Sequence, residues 1–313
     1  MKVLITGGAG FIGSHLAERL LDEGHEVAVI DNFETGRREN LPEHKNFTLF
    51  EGDIADRAEL DEAFGFGPEA VAHAAASYKD PEAWMADAST NSLGGANVAE
   101  ASREAGVGRI LYFQTALCYG TQPLEQPITL NHPIRPDSSY AISKTTAEQY
   151  IELSGIPWVS LRLANIYGPR NVSGPPPTFF SRLTEGKPVF VMDTRRDFIF
   201  VDDLIDVAMP ALMGTGEGAY HASTGSDYSI KEMFEAVTKA MEVEMEEEVE
   251  VRPRPEDDAA SILLDPSRTK DDFGWEATVP LEDGIQQAID WYKENGVGET
   301  YTHLKHDEVK VKS

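Results

Sequence analysis

A single cysteine in 313 residues, Cys118, leaves no internal disulfide and no cysteine-rich metal site to consider. Basic residues are scarce too: 27 Lys and Arg stand against 54 Asp and Glu, a net charge of −27. A polyphosphate backbone is repelled by such a surface, which argues against nucleic acid as a partner. Long apolar runs are also missing. The opening MKVLITGGAGFIG carries one lysine before apolar residues, but glycines interrupt it within a few positions. Neither a signal-peptide core nor a membrane span of roughly 20 apolar residues can form there. These absences predict a cytoplasmic protein with no membrane association and no bound metal.

What is abundant is carboxylate. Such an excess can keep a protein hydrated at high salt, or it can be the surface of an ordinary acidic cytosolic enzyme; charge bears on solubility rather than fold. It is densest from Met241 to Glu250, where a solvated helix end leading into an edge strand is expected. With 41% apolar residues the chain can bury a large core, and its length suits one α/β domain with a smaller lobe.

Short apolar runs predict strands at Val3 to Ile5, Glu26 to Ile30, Asn46 to Glu51, Ala70 to His73, Arg109 to Gln114 and Pro157 to Leu163. Between them lie stretches of helical spacing, such as Phe11 to Glu23 with Ile12, Leu16, Leu20 and Leu21. Strand and helix in alternation predict a Rossmann-type, doubly wound parallel sheet, with ligands at the carboxyl ends of its strands. After about residue 165 a Pro/Gly-rich segment, Gly168 to Pro177, marks the start of a smaller C-terminal α/β lobe. The expected division is residues 1–165 for the dinucleotide, with some later segments returning to it, 166–300 for the substrate, and 301–313 as a polar tail.

Glycines three apart at Gly7, Gly10 and Gly13 stand between the first strand and the first helix. Glycine there tightens the turn and lets the backbone approach a pyrophosphate, which the helix start attracts with free N–H groups and a positive dipole end. A second strand ends in Asp31 about 20 residues on, the context this pattern requires. Asp31 would accept from a ribose diol and repel a 2′-phosphate, favouring NAD over NADP, with Arg37 and Arg38 placed to blunt that preference. Gly52-Asp53-Ile54 could wall the adenine. Tyr140 and Lys144, four apart within the helical stretch Ser139 to Leu153, share one face. A neighbouring ammonium, with the positive nicotinamide ring, favours phenolate and would bring the tyrosine towards working range as a general base.

With TGGAGFIGSHL, Asp31-Asn32, GDI at Gly52 to Ile54, HAAA at His73 to Ala76, YAISK at Tyr140 to Lys144, RLANIYGPRN at Arg162 to Asn171, RRDFIFVDD at Arg195 to Asp203 and LLDPSR at Leu263 to Arg268, the chain resembles the extended short-chain dehydrogenase/reductase family. The likeness is to its NAD-dependent nucleotide-sugar epimerases, of the UDP-glucose/UDP-galactose 4-epimerase kind, and runs from residue 1 to about 290.

The resemblance implies NAD contacts from Gly7, Gly10, Phe11, Ile12, Gly13, Asp31, Asn32, Asp53, Ile54, Ala74, Ala75, Asn91, Tyr140 and Lys144. It implies Thr115, four before Tyr119, as a catalytic residue beside Tyr140 and Lys144, its hydroxyl orienting the reacting sugar oxygen. It also implies a nucleotide sugar, UDP-linked, held by Thr115, Asn165, Arg196 and Arg254, and a homodimer built on two helices per subunit. An ion-pair role for these arginines, with Asp197 and Glu256, is the alternative reading.

Departures from the family pattern narrow the chemistry. Ala116 and Leu117 stand where nucleotide-sugar dehydratases have an Asp-Glu pair, so acid/base elimination of water is disfavoured. Cys118 is one position off the acid/base cysteine of 3,5-epimerases and reads as packing. Gln114, Lys79-Asp80-Pro81 and the glycine-free Met192-Asp193-Thr194 leave the sugar substituents open, and His73 reads as a packed strand end. The expected activity is 4-epimerisation of a UDP-hexose or UDP-hexuronic acid through a transient 4-keto sugar. An NAD(P)-dependent reductase or decarboxylase of the same family, or a non-catalytic dinucleotide sensor, are the alternatives.

Overall fold

Apolar residues run almost unbroken through the first strands because both faces of their sheet are covered. The computed structural model describes residues 1–78, 80, 82–254 and 258–300; Lys79, Pro81, Glu256 and the tail 301–313 singled out above lie outside them. Strands β1 (Lys2–Thr6), β2 (Glu26–Asp31), β3 (Phe47–Glu51), β4 (Ala70–His73), β5 (Arg109–Thr115) and β6 (Trp158–Leu163) fall within one residue of their expected bounds. A seventh, β7 (Gly218–Ala222), joins β6 from far along the chain. The order is β7-β6-β5-β4-β1-β2-β3, all pairs parallel. This is the expected doubly wound Rossmann-type sheet, and the strand order turns back beside β1, where the carboxyl ends leave a crevice.

Alternation along β1 divides the core. Val3 and Ile5 face α1 (Phe11–Asp22) and join one apolar cluster, while Leu4 joins the other, with Leu60 of α2 (Arg57–Phe64), Val98 of α3 (Gly94–Glu104) and Ile151 of α4 (Ser139–Leu153). Two helical segments lead into α3, the turn Trp84–Ala86 and the π-helical stretch Asp87–Leu93. Gly95 lets α3 close on α4, since a Cβ there would lie 2.5 Å from that of Ala147.

Beyond β6 the chain builds short strand pairs, Asn165–Tyr167 with Phe198–Phe200, and Phe190–Met192 with Glu250–Arg252. Helices Pro175–Thr184, Ile230–Met241 and Leu281–Asn295 pack on them. Ile230–Met241 starts with a reciprocal Ser229–Glu232 capping box and ends at Glu242 in the left-handed region, φ 57°. The acidic stretch that follows is exposed and enters the edge strand Glu250–Arg252, as its charge predicts. Among the described residues no helix is long and apolar enough to cross a membrane.

Candidate active site

A cavity of about 1200 Å³ opens at the carboxyl ends of β1, β2, β4 and β5, and its wall includes Gly7, Gly10, Phe11, Ile12 and Gly13. Gly7 has φ +69°, and a Cβ on it would meet the Ala75 backbone at 2.6 Å. A Cβ on Gly13 would strike the Gly7 carbonyl oxygen at 2.4 Å. These glycines therefore bring loop, β4 end and helix start together. Gly10 caps α1 without a side chain, leaving the first N–H groups of the helix directed at the crevice, as an anion requires.

Asp31, at the end of β2, lies on the same wall and is 7% exposed. Its carboxylate accepts the N–H groups of Ala9 and Phe33, both at 2.8 Å. Burial still pushes its pKa up, the two N–H bonds opposing. Further donors, such as a ribose diol, would relieve it. Asn32 donates to Asp53 at 3.1 Å, and Asp53, Ile54, Ala74 and Ala75 complete this end. Arg37 and Arg38 do not oppose Asp31 here: Arg37 donates to the Val297 carbonyl, and Arg38 pairs with Glu51 and covers the Phe33 ring.

The helical register of α4 puts Tyr140 and Lys144 on the cavity wall, with Thr115 opposite at the end of β5. Gln114 fixes the approach, accepting from the Thr115 N–H at 2.8 Å and donating to the Lys144 carbonyl at 3.1 Å. The Thr115 hydroxyl accepts from Leu117 N–H at 3.1 Å and keeps its own proton to donate. Burial pushes the Tyr140 phenol up, with Tyr78 and Asp87 acting in the same direction. Burial also brings Lys144 down to about 7, against Glu148. Desolvation is the largest cause at both groups, and the cavity's own residues hold the tyrosine protonated.

His73 is buried against Tyr112, bonded to the Thr6 hydroxyl at 2.7 Å, and brought down to about 3 by burial and by Lys144. It stays a neutral packing group. Among the described residues no set of His, Cys, Asp or Glu is arranged to hold a metal. Cys118 is fully buried and its thiol is pushed up to about 12 by burial, the condition of an inert thiol.

At the other end the wall includes Asn165 and Arg196. Asn165 donates to the Asp197 carbonyl at 3.2 Å, and Arg196 pairs with Asp258 at 2.6 Å and donates to the Ala259 carbonyl at 2.9 Å. Its partner is thus not Asp197, which accepts from Ser223 and Thr224.

Two sequence-predicted residues stand off the wall. Asn91 was expected to contact the cofactor, but its amide is fully engaged, accepting from Ser77 N–H at 2.8 Å and donating to the Ser77 carbonyl and the Ser143 hydroxyl. It braces the Ala74–Tyr78 segment that does line the cavity. Arg254 donates to the Asp258 carbonyl and lies outside the lining, two positions past Arg252, which is inside it. Arg252 ends the strand Glu250–Arg252, whereas Arg254 lies beyond it after Pro253, and Arg252 covers the Phe190 ring at 3.7 Å. Arg182, on Pro175–Thr184, joins the same wall and donates to the Pro188 carbonyl at 2.8 Å. The sequence signal for both was the scarcity of cations; their positions come only from the packing of distant segments.

Comparison with known proteins gives a consistent picture. Residues 3–221 match the model of the NAD dependent epimerase/dehydratase family. The UDP-glucose 4-epimerase of Mycolicibacterium smegmatis is 33% identical over 316 residues, covering 94% of this chain and 99% of that protein. Among solved structures, Bordetella bronchiseptica WbmH in complex with NAD+ has a TM-score of 0.91 and 53% identity, covering 95% of this chain and 99% of its own. WbmG of the same organism, in complex with NAD and UDP, has a TM-score of 0.90 and 46% identity, covering 96% and 98%.

Proposed function

This chain belongs to the NAD dependent epimerase/dehydratase family, and we propose that within it the protein is a nucleotide-sugar 4-epimerase acting on a UDP-hexose or UDP-hexuronic acid. The observation that carries the reading is one cavity wall that holds Gly7, Gly10 and Asp31, then Thr115 and Tyr140, then Arg182, Arg196 and Arg252. A dinucleotide, a reacting sugar carbon and a diphosphate each find their chemistry there in turn.

The residues fit NAD. A cradle that a Cβ on Gly7 or Gly13 would fill, a helix start without a side-chain cap, and a buried Asp31 on the cavity wall are the features its pyrophosphate and ribose need. When bound, NAD supplies the acceptor and returning donor of a hydride at the sugar carbon, and its positive ring adds the charge that favours Tyr140 phenolate. Tyr140 takes the proton of the C4 hydroxyl as that carbon is oxidised and returns it after the 4-keto sugar has turned over in the cavity. Thr115 donates to the same oxygen and holds it against Tyr140. Lys144 in its protonated form supplies positive charge on the same wall as the phenol. Arg196 and Arg252, with Arg182, offer bidentate donors to the diphosphate of a chain that is otherwise strongly acidic. Ala116 and Leu117 carry no titratable proton, so these two positions supply no pair for water elimination.

Purified protein incubated with UDP- and GDP-sugars without added cofactor, and followed by proton NMR, should yield the C4 epimer of one of them. Release of carbon dioxide would establish the decarboxylase alternative, and net consumption of NADH a reductase.

The reading includes a division of labour between residues 1–165 with β7 for the dinucleotide and 166–300 for the sugar nucleotide. It includes a homodimer as well. Trp84, Leu93, Ile142, Tyr150 and Leu153 are exposed apolar residues on the adjacent helical stretches leading into α3 and on α4, and a matching face on a second copy would cover them. Sedimentation at micromolar concentration should give twice the chain mass. A cytoplasmic location suits a chain whose one thiol is buried and unpaired.

A further inference from the structure

Asp87 is 1% exposed, and neither of its carboxylate oxygens has a hydrogen-bond partner. The four other carboxylates buried among the described residues are all satisfied. Asp31 accepts from Ala9 and Phe33, Glu148 from Arg162 and Ser160, Asp197 from Ser223 and Thr224, and Asp203 from Thr278 and Val279. A bare buried carboxylate is costly, because it loses its water without gaining a donor. Like Asp31, and unlike Glu148, Asp197 and Asp203, Asp87 belongs to the cavity wall, where it stands with Tyr78, Thr115 and Tyr140.

The backbone presents it there. Asp87 opens the π-helical stretch Asp87–Leu93 in a helix that is α-helical before and after. Such wide turns are rare and gather at functional sites. This helix runs alongside α4 in register: Gly95 meets Ala147, and Asn91 donates to Ser143 at 3.0 Å. One turn further towards the cavity, Asp87 comes level with Tyr140, and its charge is one of those that act on the phenol. Asn91 is spent on bracing the wall, whereas Asp87, on the same face, braces nothing.

We propose that Asp87 is a specificity-determining residue for the sugar: its carboxylate accepts a hydrogen bond from an O–H or acylamino N–H on a carbon next to the one that reacts at Tyr140. This rests on the 4-epimerase reading, in which the reacting hydroxyl lies against Tyr140. A substituent on the neighbouring carbon then faces the element packed beside α4, and the group that element offers is Asp87. A sugar lacking the donor leaves the carboxylate bare, and a site built around a buried acceptor rejects such a ligand more strongly than an apolar site rejects an added methylene.

The test measures affinity for UDP and for the UDP-hexose that the wild type epimerises, in wild type, Asp87→Ala and Asp87→Asn, by titration calorimetry on NAD-loaded protein. Asp87→Ala should weaken the UDP-hexose about 10- to 100-fold with UDP unchanged, the range for a hydrogen bond to a charged acceptor. An unchanged ratio of the two affinities overturns the proposal. A purely structural role would lower both affinities and the melting temperature together, which also overturns it. Should neither variant fold, wild type decides. A UDP-hexose analogue lacking the donor at C3, the neighbour of C4 that bears one, should bind about 10-fold or more weakly than the parent, and equal binding overturns the proposal. If the wild type epimerises no sugar at C4, the 4-epimerase reading fails; the affinity ratio for the UDP-hexose that binds best still decides whether Asp87 recognises a sugar donor.

Discussion

The ammonium of Lys144 lies 4.3 Å from the centroid of the Tyr112 ring, while the hydroxyl of the same tyrosine donates to the Lys144 carbonyl at 3.0 Å. One residue of β5 therefore fixes both the backbone and the charged end of Lys144. Replacing the ring removes a desolvated cation–π contact of about 2 kcal/mol, and the ammonium then deprotonates more easily. Tyr112→Leu should shift the alkaline limb of the turnover–pH profile to lower pH, whereas Tyr112→Phe, which keeps the ring, should leave it near the wild-type position.

Lys144 also links pH to stability. Its pKa is about 7 in the fold against 10.5 for the free side chain, so the unfolded chain binds the extra proton between those values and stability rises with pH across that window. Lys144→Met removes this rise. The variant should be more stable than wild type by a few kcal/mol near neutral pH, with the difference shrinking towards pH 10.5, as followed by urea unfolding at several pH values.

Tyr140→Phe should abolish turnover while UDP and NAD stay bound, because it deletes the proton acceptor and leaves the wall intact. Thr115→Val should lower kcat by about 100-fold or more, the scale of one lost donor to a reacting oxygen, with little change in KM. Steady-state kinetics on the epimerised sugar checks both, and unaltered turnover in Tyr140→Phe would remove that residue from the mechanism.

Gly7→Ala should destabilise the protein by roughly 1–3 kcal/mol and lose retained NAD, since φ +69° disfavours any side chain and the new methyl group would meet the Ala75 backbone at 2.6 Å. A melting curve with spectroscopic assay of released nucleotide reads both effects. Gly24→Ala, at φ +84° but with open space around it, should cost stability only.

Arg196→Ala and Arg252→Ala should each weaken UDP binding roughly 10-fold, as loss of a charge-assisted contact does. Arg254→Ala should change it less than about twofold, in line with an exposed side chain off the wall. Calorimetric titration of the three variants distinguishes the sequence expectation for Arg254 from the geometry, which favours Arg252.

The part of the site legible in the sequence is the part set by short-range spacing. Gly7, Gly10 and Gly13 with Asp31 are a strand, a turn, a helix and a strand in succession, and Tyr140 with Lys144 is one helical turn. Asn91 was implied by the resemblance alone, and its engagement with Ser77 and Ser143 depends on how closely α4 approaches, which Gly95 permits opposite Ala147. Spacing conveyed that Tyr140 and Lys144 share one helix face and not that both are buried, and burial is the largest effect on both groups.

By itself the sequence determined the parallel sheet, the dinucleotide crevice and the tyrosine-lysine helix, because alternating periodicity and glycine spacing act within some 30 residues, where chain connectivity alone brings groups together. Only the tertiary structure decided that β7 completes the sheet, that Arg182 and Arg252 rather than Arg254 face the cavity, and that Asp87 is left without a donor. Each depends on segments far apart in sequence, and whether a polar group is satisfied there is fixed by what packs against it rather than by its neighbours in the chain.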